Sequence, residues 1–162
     1  MLTLAVVWLH GCSPNIVHNN PYGGIWIGGT IPGTPGGATD TEVYNNTVYH
    51  NGGDTQVSGI YIDPNSTNID VQNNISYQNT PADYSGTVDV SKNWPGDSDP
   101  PPFADITNPD APDLHLTSHT TPQGAQLALV TSDADGGCRP SGTYDMGAYQ
   151  FGSILGQCAT WS

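Results

Sequence analysis

Short apolar runs alternate along this chain with asparagine-rich turns, and the two recur in step. Asn15-Ile16-Val17-His18-Asn19-Asn20 is followed by Asn46-Thr47-Val48-Tyr49-His50-Asn51 and by Asn74-Ile75-Ser76-Tyr77-Gln78-Asn79. The leading asparagine moves from 15 to 46 to 74, in steps of 31 and 28 residues. A second phrase keeps pace: Gly24-Ile25-Trp26-Ile27, Gly59-Ile60-Tyr61-Ile62 and, more loosely, Thr87-Val88-Asp89-Val90. A third pairs Val43-Tyr44-Asn45-Asn46 with Val71-Gln72-Asn73-Asn74. Alternation with a period of two marks strands. A strand-bearing repeat of this length marks one coil of a solenoid. The pattern predicts an all-β fold, a parallel β-helix of about three to four coils.

Residues 1–94 carry the coils, and 95–162 read as an irregular tail packed on the last of them and capping the end, all within one domain. The break falls at Pro95-Gly96-Asp97-Ser98-Asp99-Pro100-Pro101-Pro102, a turn and linker composition. Gly28 to Gly37 reads as a loop bulging from the coils. The segment Val7-Trp8-Leu9 reads as one more strand, so the chain is expected to open inside a coil, as a fragment of a longer solenoid would. An open N-terminal coil also suggests a homo-oligomer.

Stacked strands lie about 4.8 Å apart, so equivalent residues form columns. The isoleucines of the second phrase point inward, which turns Trp26, Tyr61 and Asp89 outward, with Trp8 before them. The asparagines fall into columns of their own (Asn46 over Asn74; Asn20, Asn51 and Asn79), where stacked amides bond from coil to coil.

Charge narrows the partners. Fifteen acidic residues face only Lys92 and Arg139, a net charge of −13. Such a chain repels phosphate backbones, which excludes nucleic acid as a natural partner. No apolar stretch is long enough to cross a membrane. The cysteines are Cys12, Cys138 and Cys158; either the last two pair or all three stay as thiols.

The asparagine repeats resemble those of right-handed parallel β-helix proteins of the pectin-lyase-like superfamily. The stretch from Asp133-Ala134-Asp135-Gly136 through Arg139 to Asp145-Met146-Gly147-Ala148-Tyr149-Gln150-Phe151 resembles the motif that closes many secreted bacterial β-helix proteins. Met146 and Gln150 stand where that motif usually has Ile and Glu. The resemblance implies right-handed coils and a secreted or cell-surface location. It does not fix an activity, since such proteins include polysaccharide lyases, glycoside hydrolases and structural surface modules.

Candidate chemistry follows from these readings. A strip of Trp8, Trp26 and Tyr61 offers flat faces on which sugar rings stack. Asp63 and Asp89 lie beside it as a candidate carboxylate pair for glycoside hydrolysis, one as acid and the other as nucleophile or base. In the lyase alternative, Lys92 is the coil-region base. Asp133-x-Asp135-Gly136 resembles the opening of a calcium loop, which makes Asp133 and Asp135 candidate Ca²⁺ ligands. The competing structural reading is that Arg139 pairs with Asp133, Asp135 or Asp145 and pins the tail. The expected function is polysaccharide binding or degradation; the alternative is a structural or adhesive surface module.

Overall fold

The computed structural model describes residues 14–29, 36–53, 58–155 and 158. Trp8, Cys12 and the strand read at Val7-Trp8-Leu9 lie outside them. In chain order the strands are β1 (Ile16–His18), β2 (Ile25–Ile27), β3 (Thr39–Tyr44), β4 (Thr47–Tyr49), β5 (Ile60–Ile62), β6 (Thr67–Gln72), β7 (Ile75–Tyr77) and β8 (Tyr84–Gly86). Then come β9 (Phe103–Asp105), β10 (Asp113–Leu116), β11 (Gly137–Cys138) and β12 (Ile154–Leu155). The described residues are all-β, with two short 3₁₀ turns at Val90–Lys92 and Gly96–Ser98.

Three parallel sheets carry the repeat. The first runs β1-β4-β7, the second β2-β5-β8 and the third β3-β6. Registers follow the sequence phrases: Ile16 faces Thr47 and Thr47 faces Ile75, while Ile25 faces Ile60. The arrangement is that of a β-helix-like solenoid. Corners are set by residues that tolerate a left-handed backbone. Asn45 and Asn73 (φ 52° and 59°) leave β3 and β6, and Asn19, His50 and Gln78 (φ 53°, 51° and 54°) leave β1, β4 and β7. Asparagine occupies this region at lower cost than other non-glycine residues.

Inside the coils, Ile25, Ile27, Val43, Val48, Ile60, Ile62 and Val71 form one buried cluster. Each fully buried aliphatic side chain contributes roughly 1.5–3 kcal/mol. Two asparagine ladders frame this cluster. In one, Asn15 Nδ2 donates to Asn46 Oδ1 (3.0 Å), Asn46 Nδ2 to Asn74 Oδ1 (2.9 Å), and Asn74 Nδ2 to Asn93 Oδ1 (2.9 Å). In the other, Asn51 Nδ2 donates to Asn79 Oδ1 (3.0 Å) and Asn79 Nδ2 to Asp83 Oδ1 (2.9 Å). Each rung also takes a backbone N–H, as Asn74 Oδ1 does from Asn46 (2.9 Å). The ladders thus satisfy corner groups that no strand partner reaches.

The tail packs along the side of the coils, the last rung included. It lies against the outer face of β1-β4-β7 and makes a second core there. Tyr49, Ile75 and Tyr77 from the sheet meet Trp94, Leu114, Leu116 and Met146, with Phe103 and Tyr149 at the margin. Main-chain bonds fasten it: Gly147 N–H donates to Asn73 O (2.7 Å), and Ala148 N–H donates to Thr47 Oγ1 (2.8 Å). A Cβ on Gly147 (φ 85°) would fall 2.7 Å from Ile75 Cδ1, so glycine lets the tail backbone approach this closely. Residues 92–97 continue the stack beyond the last coil. Asn73 N–H donates to Lys92 O, Asn74 N–H to Asn93 Oδ1 and Gln78 N–H to Asp97 Oδ1.

Arg139 differs from expectation. Its guanidinium donates to the main-chain carbonyls of Asp145 (2.8 Å) and Gly147 (2.6 Å), and its Nε to Ser132 O (3.3 Å). It pins the tail through carbonyls rather than a carboxylate pair. Asp145 is spent elsewhere, on Thr120 N–H (2.7 Å), Gln150 Nε2 (2.7 Å) and Phe151 N–H (3.0 Å). Cys138 and Cys158 form a disulfide, Cα–Cα 5.0 Å, which selects the paired alternative.

Candidate functional site

The outward column of β2-β5-β8 is the site to build. Alternation sends Ile25, Ile27, Ile60 and Ile62 into the core and leaves Trp26 and Tyr61 half-buried on the outer face. Their ring centroids lie 5.5 Å apart at 86°, an edge-to-face pair. The third rung is not the one the sequence suggested. Tyr61 faces Ser85, because β8 is Tyr84–Gly86 and not Thr87-Val88-Asp89-Val90. Tyr84 takes the inward place against the core cluster.

Asp89 therefore leaves the column. It caps the 3₁₀ turn Val90–Lys92, accepting Ser91 Oγ (2.7 Å) and Ser91 N–H (3.1 Å). Those bonds hold its carboxyl below the ordinary range. Asp63 is only 3% exposed, and its Oδ1 accepts both Asn65 N–H (2.8 Å) and Asn65 Nδ2 (2.9 Å). It lies against Gly28 (φ 141°), where a Cβ would come 2.2 Å from Asp63 Cβ. Lys92 reaches Asp70 Oδ1 (3.7 Å) on β6. Among the described residues no side-chain hydrogen bond joins Asp63, Asp89 and Lys92 to one another; Lys92 N–H meets Asp89 O (3.5 Å) only as the backbone bond that closes the 3₁₀ turn.

Two buried polar atoms among the described residues have no hydrogen-bond partner: Trp26 Nε1 and Ser85 Oγ. Both belong to this column, on either side of Tyr61. Leaving such a group unpaired costs about 1–3 kcal/mol, so the coincidence calls for a physical reason.

Asp133 Oδ1 accepts the N–H groups of Asp135 (3.1 Å) and Gly137 (2.7 Å), and its Oδ2 that of Gln150 (3.3 Å). Asp135 Oδ2 instead meets His115 Nε2 (2.9 Å), whose Nδ1 meets Asp113 Oδ1 (2.5 Å). A carboxylate on each nitrogen favours the doubly protonated, charged ring. Burial disfavours that charge, but the bonds to Asp113 and Asp135 outweigh it and raise the His115 pKa. Tyr149 stacks on the imidazole at 4.0 Å. Among the described residues no group of three or more His, Cys, Asp or Glu side chains is placed to hold a metal.

Sequence reasoning missed Ser85, His115 and the terminal acid of the second ladder. Burial pushes the Asp83 carboxyl up to about 6; the bonds from Asn79 oppose the rise and Asp97 adds to it. It also missed the outer face of β3-β6. There Tyr44 Oη (2.7 Å) and Gln72 Nε2 (2.5 Å) both donate to Asp70 Oδ2, while Glu42 faces Asp70 in register. Burial, then Asp70, pushes the Tyr44 phenol well up. The alternation Asp40-Thr41-Glu42-Val43-Tyr44 against Asn68-Ile69-Asp70-Val71-Gln72 carried that signal.

The chain matches no family model, no curated protein and no solved structure. Fold and column together define a class only: an all-β parallel solenoid with a half-buried aromatic strip on one outer face.

Proposed function

We propose that this protein is a carbohydrate-binding solenoid, secreted or held at a cell surface, and that Trp26, Tyr61 and Ser85 form its binding strip. The observation that carries the reading is the in-register Trp26–Tyr61 pair on an outer sheet face. Aromatic faces supply large contact area and stack on the apolar faces of sugar rings. Binding is favoured over hydrolysis or elimination because Asp63 and Asp89 are committed to Asn65 and Ser91. The test is a panel of immobilised plant and bacterial polysaccharides, scored for retained protein and for released sugar. Retention without sugar release, lost in the Trp26→Ala/Tyr61→Ala double variant, is the expected result. Sugar release abolished by Asp63→Asn would restore the enzymatic reading.

The alternative, a structural or adhesive module, is favoured by one feature. Ile154 (77% exposed) and Leu155 (75%) stand open to solvent on the edge strand β12, and exposed apolar edges pair with other chains. Silence across the panel, together with self-association that Leu155→Asp abolishes, would move the assignment there.

A further inference from the structure

Resting on that reading of the strip, we propose that Trp26 Nε1 and Ser85 Oγ are the polar anchors of a neutral, hydroxyl-rich oligosaccharide that lies along the stacking axis. The two atoms are the buried side-chain polar atoms without partners among the described residues, and they occupy the first and third rungs of one column. A native fold pairs its buried polar groups nearly everywhere. The ladders show how thoroughly this one does so, since the Asn74 side chain alone makes bonds to Asn46, Val43, Gln72 and Asn93. Two orphans on the same outer face therefore point to a group supplied from outside.

The chemistry of that group follows from the two atoms. Trp26 Nε1 can only donate, and the Ser85 hydroxyl can donate or accept. A sugar hydroxyl serves both. Two rungs of stacked strands span roughly 10 Å, the reach of a disaccharide. Tyr61 stands between the anchors in register, so its ring is the one that must turn aside for the ligand. Strand side chains commonly occupy either of two χ1 wells, which makes that turn accessible.

Charge excludes the acidic glycans. A carboxylate or sulfate on the ligand would need a cation. Lys92 is drawn to Asp70 and Arg139 is buried on tail carbonyls, and the sequence holds no other Lys or Arg. A net charge of −13 adds a repulsive field.

The experiment is calorimetric titration of the full chain with cellotetraose, xylotetraose, mannotetraose and tetragalacturonate. At least one neutral tetrasaccharide binds, and tetragalacturonate does not at the same concentration. Trp26→Phe keeps a ring but removes the donor, and Ser85→Ala removes the hydroxyl; each weakens binding about three- to tenfold. Because Ser85 Oγ has no partner in the free protein, Ser85→Ala leaves the melting temperature unchanged or raises it, which separates lost contact from lost fold. Wild-type affinity in both single variants, or tetragalacturonate bound as tightly as the neutral sugars, overturns the anchors while the strip stands. Affinity that survives Trp26→Ala/Tyr61→Ala, or no binding by the wild-type chain, overturns the strip itself.

Discussion

Trp94 and Trp26 are the same residue in two differently finished parts of the molecule. Trp94 is 2% exposed in the core between tail and sheet, and its indole N–H donates to Asp99 O (2.5 Å). Trp26 is half-buried on the outer face of the second sheet, and its indole N–H has no partner. Both sheet faces are apolar or aromatic. One has been covered by the chain's own tail and completed with hydrogen bonds; the other has been left with two polar atoms unpaired. A fold that satisfies its asparagine corners so fully has the means to satisfy one indole. The region where it does not is the place to look for function.

The first way to break that contrast is to remove what supports both regions. Asn74→Ala deletes a rung that holds Asn46, Val43, Gln72 and Asn93 together. Several buried partners lose their bonds at once, so denaturant unfolding should show a loss of about 4 kcal/mol. Reducing Cys138–Cys158 should act on the tail side alone. Closing a loop of sequence separation 20 stabilises by roughly 3 kcal/mol in the chain-entropy account. Reduction should therefore loosen the surroundings of Trp94, read by its emission, and leave the amide protection of β5 unchanged.

A smaller effect should appear at the last coil. The folded Asp83 carboxyl titrates at about 6, above its ordinary value. A raised value means that its contribution is complete below the ordinary carboxylate range and is lost as pH climbs through about 6. Unfolding free energy should fall by about 1 kcal/mol between pH 4 and pH 7, after allowance for solvent screening. Asp83→Asn keeps an acceptor for the Asn79 amide and should flatten that slope. An unchanged slope in the variant would remove Asp83 from the account.

The coils were legible because their chemistry repeats. Asn46 and Asn74 recur at the spacing of the strands, and local alternation placed Ile25, Ile27, Ile60 and Ile62 inward. The third rung was not legible, because Val88-Asp89-Val90 mimics the alternation of β5. Asp89 prefers to cap its own turn through Ser91, and such local bonds compete with strand pairing. The ladder itself marked the change: Asn79 hands on to Asp83 only four residues later. The lateral seat of the tail did leave a trace. β4 and β7 are buried at every position, with Tyr49 and Tyr77 outward, and strands apolar on both faces need cover on both. The anchors Trp26 Nε1 and Ser85 Oγ had no signature in the sequence, since a missing partner is a property of three-dimensional surroundings.

The most direct measurement follows the two indole N–H resonances of Trp26 and Trp94 while a neutral tetrasaccharide is titrated into ¹⁵N-labelled protein. The account predicts that the Trp26 signal shifts downfield and saturates, as a newly bonded donor does, while the Trp94 signal stays in place. A saturating shift at Trp94 with Trp26 unmoved would contradict it.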